Sequence, residues 1–314
     1  IITSRIITAG MIGNMTKLIS LKEAIRKDVH EGDTLYASGF THLIPFAAGH
    51  EIIRQEIKNL TLARATPDLI YDQMVAAGSA RKVVFSYMGN PGVGSLRRVR
   101  AAIEAGKLEW EEYSHFSMIS RLQAGASGLP FMPMKQTGAP DLVRNNPNYQ
   151  QVSDPYTGEE VIVVPPLKPD VAVVHVQRAD TEGNAHVWGI LGEQRLAAFA
   201  ADRVILTAEE IVDEAVIRSD PNRTLIPGLV VDAVCHVPYC AHPSYTQGYH
   251  DRDNAFYLSW DAISKTDEGV QAYLKEWVYD LPERNAYWEK LGPEVHQRLH
   301  AGTRYSEPVN YGNY

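Results

Sequence analysis

Residues 33–57 read DTLYASGFTHLIPFAAGHEIIRQEI, and the order of patterns within them decides the class of fold. The β-prone run TLYA at 34–37 ends at Ser38 and Gly39; past Pro45 the apolar residues recur three and four apart. That is a strand, a sharp turn and a helix. Gly39 suits a backbone that must bend abruptly. Pro45 stands where a helix begins and its missing N–H costs nothing. Unpaired N–H groups at a helix start point into the preceding turn, so an anionic group can be held there. A strand-turn-helix that binds nothing has the same pattern, which makes Ser38, Gly39, Phe40 and Thr41 candidates for ligand contact and not a signature.

The same alternation extends on both sides. Upstream, SLKEAIRKDVHEG opens with Ser20 and has Glu23 three residues on, a capping-box pattern, and closes on Gly32. Downstream come LTLARAT as a strand, DLIYDQMVAAG as a helix, KVVFSY as a strand, LRRVRAAIEAG as a helix, the short stretch LEWEEY, and the helix HFSMISRLQAGASG. In the second half, EEVIVVPPL and PDVAVVHV are apolar runs fit for buried strands. EQRLAAFAA reads as a helix, DRVILTAEEI as a strand, and TDEGVQAYLKEWVYDL as a helix capped by Thr266. Past Pro282 the polar and aromatic composition predicts one or two terminal helices packed on a neighbour. Units of this length build an α/β fold, a mostly parallel sheet flanked by helices on both faces, an α/β/α sandwich.

With 314 residues, 45% of them apolar, the chain can bury a full core. A formal charge of −8 argues against nucleic acid, which needs a basic face. Two cysteines, Cys235 and Cys240, make no disulfide framework and suit a reducing, cytoplasmic setting. No run approaches the roughly 18 to 20 apolar residues that span a bilayer, so no membrane partner is expected. Residues 1–16, with the near-repeat IITSRIITAG, read as an extension before the domain.

Several stretches could carry chemistry. GNPGVGS at 89–95 is a second glycine-rich turn, with Gly92, Gly94 and Ser95 as anion contacts; it lacks the spacing of a dinucleotide fingerprint, and no G-K-[ST] follows it. CHVPYCAHPSYTQGYH at 235–250 holds two Cys and three His, but neither pair has zinc spacing, so no metal is expected and His242 is its best polar contact. YSHFSM at 113–118 puts His115 at a strand-to-helix junction with Ser114 as cap. The positive end of a helix lowers an imidazole's pKa and leaves it neutral near pH 7. A histidine that only satisfies backbone groups there is the competing reading. HVQRADTEGNAHVWG at 175–189 places Asp180 and His186 either near a ligand or in a hairpin pinned by its turn. No complete catalytic set emerges, and there is no G-x-S-x-G elbow.

Taken in order, LKEAIRKDVHEGDTLYASGF, AGKLEWEEYS, ASGLPFMPM, ADTEGNAHVWG, ILTAEEIVDEAVIRSDPNRTLIPGLVVDAV, PYCAHPS and SKTDEGVQAYLKEWVYDL resemble the alpha subunits of class I coenzyme A transferases, those of the glutaconate type above all. The likeness runs over residues 17–292, which become the expected domain, with 293–314 as a C-terminal tail. It implies an active site shared with a beta subunit, in a heterodimer or a higher assembly. It also implies transfer of CoA from an acyl-CoA to a carboxylic acid through a glutamyl-CoA thioester, with no permanently bound cofactor. The attacking glutamate belongs to the partner in a motif resembling S-E-N-G, which is absent here. On this resemblance His115 is the catalytic candidate of this chain. Ser38, Gly39, Phe40, Thr41, Gly92, Gly94, Ser114, Gly138 and His242 are the candidate substrate and CoA contacts. Glutaconate-type relatives carry Gln, and a ring-opening hydrolase branch Glu, where this chain has His115; a neutral imidazole there can polarise a proton, activate water or, once charged, bind a carboxylate. Cys240 replaces a customary glycine. Two alternatives stay open: an acyl-CoA hydrolase, ring-opening hydrolase or decarboxylase on the same scaffold, and a non-catalytic acyl-CoA or sugar-phosphate binding protein.

Overall fold

The computed structural model describes residues 16–89, 94–135 and 140–301. Seven strands form its central parallel sheet: β1 (Thr34–Ala37), β2 (Leu60–Ala63), β3 (Ala80–Phe85), β4 (Glu109–Glu112), β8 (Val171–Ala179), β10 (Arg203–Ile211) and β12 (Ala233–His236). Their order across the sheet is β4-β3-β2-β1-β8-β10-β12, every neighbour parallel. Beyond the end of β1, β8 pairs antiparallel with β9 (Ala185–His186), which pairs in turn with β11 (Thr224–Ile226).

Alternation along the strands loads both faces. Leu35, Leu62, Val83, Val173 and Ile205 join one apolar cluster with the helices Leu21–Asp28, Phe46–Arg54, Leu69–Ala76, Arg97–Glu104 and Asn254–Ile263. Tyr36, Ala63, Val84, Val174 and Leu206 join the other, with the helices His115–Ser127 and Gln194–Ala200. A sheet buried on both faces needs apolar residues at nearly every strand position, which is why these strands read as runs and not as alternation. The α/β/α sandwich expected from the sequence is therefore present.

The caps follow the sequence closely. Ser20 and Glu23 form the capping box, Thr266 accepts from Gly269 N, and Gly128 closes its helix at φ 68°. The stretch EEVIVVPPL departs from expectation. Its strand β7 (Glu160–Val164) lies in a separate antiparallel sheet with β5 (Met132–Met134) and β6 (Gln150–Ser153). Glu160 there is exposed, Val161 and Ile162 are half-buried, and only Val163 and Val164 are buried. The helices Arg284–Leu291 and Pro293–Leu299 pack on their own chain: Trp288 stacks on Tyr239 with ring centroids 3.8 Å apart, and Arg298 meets Asp253 at 3.0 Å. No helix of the described residues is long and apolar enough to cross a membrane.

Candidate active site

The carboxyl ends of β1 to β4 open on one edge of the sheet, where ligands of open α/β folds collect. At the end of β1 the chain makes a turn that few residues tolerate. Gly39 has φ 107°, and a Cβ there would lie 2.6 Å from the carbonyl oxygens of His42 and Leu43. Thr41 and Leu43 also have positive φ, 55° and 58°. For a β-branched residue that is costly, of order 1 kcal/mol.

Hydrogen bonds from four surrounding segments hold the turn in place. Ser38 donates from N and Oγ to Val173 O at 3.0 and 3.2 Å. Arg64 Nη2 donates to Gly39 O at 2.6 Å, Ser244 Oγ to Thr41 O at 2.7 Å, and Leu43 N to Tyr245 O at 3.0 Å. His42 accepts at Nε2 from Gln247 N and contacts Ile190 O through Nδ1, which makes Nδ1 its protonated nitrogen. Burial lowers its pKa to about 3, so the ring is neutral. A trans peptide sets C=O and N–H in opposite directions. With the carbonyls of Gly39 and Thr41 drawn inward, the N–H groups of Phe40 and His42 are turned away from Arg64 and Ser244. The Phe40 side chain stays partly exposed together with Ile190 and Leu191, and a Cβ at Gly192 would lie 2.8 Å from Phe40 Cβ.

Three strands along, His115 begins its helix and stays exposed. Its Nε2 lies 2.8 Å from Thr66 Oγ1, past the end of β2, and its Nδ1 2.9 Å from Ser86 Oγ, past the end of β3. Ser86 Oγ donates to Ala65 O, so it accepts from Nδ1–H and leaves Nε2 to accept from Thr66. Partial burial lowers the His115 pKa, and the ring is neutral at pH 7. Burial acts in the same direction as the positive end of the helix that His115 begins. At strand spacings of about 4.8 Å, the β1 turn and His115 are separated by about 14 Å along one sheet edge.

The other expected site residues are dispersed. Ser114 caps the helix, accepting from Ser117 N at 3.1 Å. Gly94, at φ 122°, packs against Asp261. Gly92 and Gly138 lie outside the described residues. His242 is fully buried, bonded to Tyr287 Oη at 3.0 Å and Asp253 Oδ2 at 3.2 Å, with its pKa lowered by burial to about 4. The stretch 175–189 takes its hairpin form. Asp180 accepts from Glu182 N and from Asn184 N and Nδ2, and His186 Nε2 contacts Ile217 O. Among the described residues no three of His, Cys, Asp and Glu gather to hold a metal ion.

Glu209 and Glu210, toward the carboxyl end of β10, are already engaged. Glu209, buried, takes His175 Nε2 at 3.0 Å, Thr246 Oγ1 at 2.9 Å and Tyr239 N at 2.7 Å. Burial pushes its pKa up, but His175 and His250 outweigh that and hold the group ionised. Glu210 meets Arg178 Nε at 2.7 Å. Arg64, Thr66 and Ser86 escaped the sequence reading because each sits at the polar tail of a strand run; an arginine closing the apolar LTLA was the one legible signal.

The sequence pattern of the family described as Coenzyme A transferase matches residues 18–236. The chain belongs to that family. Within it the likeness is to A-type subunits. Over 280 residues it is 47% identical to the A-type subunit of 3-oxoadipate CoA-transferase from Pseudomonas knackmussii, spanning 88% of this chain and 99% of that one. It is 38% identical over 296 residues to the A-type subunit of glutaconate CoA-transferase from Acidaminococcus fermentans, spanning 88% of this chain and 92% of that one. The crystal structure of glutaconate coenzyme A-transferase from the same organism superposes with a TM-score of 0.85 at 36% identity, covering 91% of this chain and 96% of that one.

Proposed function

We propose that this chain is the alpha subunit of a two-subunit CoA-transferase that moves CoA from an acyl-CoA to a carboxylate, and that the acyl group is a dicarboxylic acid. The observation that carries the reading is the 47% identity to the A-type subunit of a 3-oxoadipate CoA-transferase, over nearly the whole length of that relative. The division of labour is supported by the state of the carboxylates. A nucleophilic carboxylate must be free to reach a thioester carbonyl, whereas Glu209 is buried in an ion pair and Glu210 is paired with Arg178. The partner then supplies the attacking glutamate, and this chain supplies a wall at Gly39, Phe40 and Thr41, with the Phe40 amide as a donor for the charge that develops on the thioester oxygen.

His115, with Thr66 and Ser86, suits the far carboxylate of the diacid. Both relatives are named for dicarboxylates, 3-oxoadipate and glutaconate. An imidazole held between two hydroxyls can take up a proton as the carboxylate arrives and so pair with it. The test is co-expression with the cognate beta subunit, followed by an assay of CoA exchange from succinyl-CoA to 3-oxoadipate or to the monoacid 3-oxohexanoate. A strong preference for the diacid that shrinks at least tenfold in His115→Gln is the expected result. Equal use of both acids by the wild-type complex defeats the dicarboxylate reading, and no exchange onto either defeats the transferase reading.

A further inference from the structure

A buried polar compartment lies beneath the β1 turn, and no step of the proposed reaction uses it. Arg64 is 1% exposed, and beyond its bond to Gly39 O its Nε and Nη1 make no hydrogen bond to protein. Glu193, 4% exposed, has Oε2 in the same condition, as do Tyr36 Oη and Gln194 Nε2, both on fully buried residues. These groups share one region. Arg64 interacts electrostatically with Glu193 and with Tyr36, and Glu193 with Tyr36. Gln194 Oε1 accepts from Gly192 N at 2.7 Å, and Gly192 abuts Phe40. An arginine fork, a carboxylate, a phenol and an amide all left short of partners in one interior region are what ordered water satisfies, since each such group left dry is costly.

We infer that Arg64 is a positioning residue: tied to Glu193 through ordered water, it fixes the Gly39 carbonyl and thereby aims the Phe40 amide at the thioester oxygen. The inference rests on the transferase reading for its kinetic consequence and on geometry alone for its structural one. Arg64 does not touch substrate. It acts through a single peptide plane, whose inward carbonyl and outward N–H turn together. Two positive-φ residues follow Gly39, so the turn depends on such outside supports to keep one conformation. A compact ammonium cannot reproduce the guanidinium fork, because its donors all sit on one nitrogen and cannot hold Gly39 O while also reaching toward Glu193.

The experiment compares wild type, Arg64→Met, Arg64→Lys and Glu193→Gln, each in complex with the beta subunit, in succinyl-CoA to 3-oxoadipate exchange, together with crystal structures of wild type and one Arg64 variant. An oxyanion donor removed outright costs about 10²- to 10³-fold in kcat. Misaiming one is expected to lower kcat at least tenfold in Arg64→Met, with KM within threefold, and several-fold in Glu193→Gln. The wild-type structure is expected to hold ordered water between Arg64 and Glu193, and the variant to show the Gly39–Phe40 peptide rotated. If Arg64→Met fails to fold, Arg64→Lys carries the same readouts. A KM rise with kcat unchanged, or an unmoved peptide in the variant, overturns the inference. If the wild-type complex exchanges no CoA, the transferase reading falls, while the peptide's orientation still decides the role of Arg64.

Discussion

At the residue scale, His115 shows how a local pattern can be read correctly for an incomplete reason. Its place at a strand-to-helix junction and its Ser114 cap were legible from YSHFSM. Thr66 and Ser86 were not, because hydroxyls 49 and 29 residues away reach it only once β2 and β3 lie beside β4. The lowered pKa has a consequence for rate. Because the ring takes up a proton as the carboxylate binds, kcat/KM for the diacid falls as pH rises above the lowered His115 pKa. In His115→Gln that fall is lost, which a pH–rate series on both complexes checks. Gly39 is the other decisive residue. A methyl group there meets two carbonyl oxygens at 2.6 Å in a left-handed backbone. Gly39→Ala is expected to cost about 2–4 kcal/mol of stability, or to move the turn and abolish exchange; thermal melts with parallel activity assays separate these outcomes.

At the element scale, the sequence was most reliable where one pattern served one purpose. The capping box at Ser20, the Thr266 cap and the hairpin around Asp180 are local chemistry, complete within a few residues. Tertiary choices were hidden. EEVIVVPPL and PDVAVVHV read alike as apolar runs, yet only the second enters the main sheet, because membership depends on which neighbours cover it. Asp72 is another hidden choice, since it lies inside the helical pattern DLIYDQMVAAG. Fully buried, it accepts from Arg98 N, Val99 N and Trp260 Nε1 at 2.8 to 2.9 Å, and so caps a helix that is not its own. Burial raises its pKa to about 6. Replacing Asp72 with Ala strands three donors, two of them buried, and is expected to cost about 2–4 kcal/mol, read by urea denaturation.

At the scale of the whole molecule, buried histidines set the response to acid. His42 and His50 have pKa values lowered by burial to about 3, and His242 to about 4. Below pH 6.5 the unfolded chain binds protons that these rings refuse in the folded state, so stability falls as pH drops from about 6.5 toward 4. Asp72 opposes this, since its raised pKa means that the folded state binds the extra proton between about 4 and 6. The net expectation is a loss of about 2–3 kcal/mol per pH unit near pH 5. His175 carries the opposite sign. Its pKa is raised, because Cys240 and Glu209 outweigh the effect of burial, so its contribution is present below 6.5 and is lost as pH rises above that value. Denaturation from pH 4 to 9 is expected to show greatest stability between about 6 and 7, and a monotonic rise from pH 4 to 9 contradicts this balance.

The site as a whole was half legible. The turn at 38–41 and His115 stood out, and their placement on one sheet edge needed the strand order. Gly94 and His242 are drawn into packing elsewhere, for reasons of distance along the fold that no motif carries. On the proposed reading, this chain builds the wall and a donor of a shared site while the attacking carboxylate comes from its partner. Mass spectrometry of the two-subunit complex, after incubation with succinyl-CoA and borohydride reduction of the enzyme thioester, tests it most directly. The expected result is this chain unmodified beside a modified glutamate on the beta subunit. A modification found on Glu209, Glu210 or any other carboxylate of this chain contradicts it.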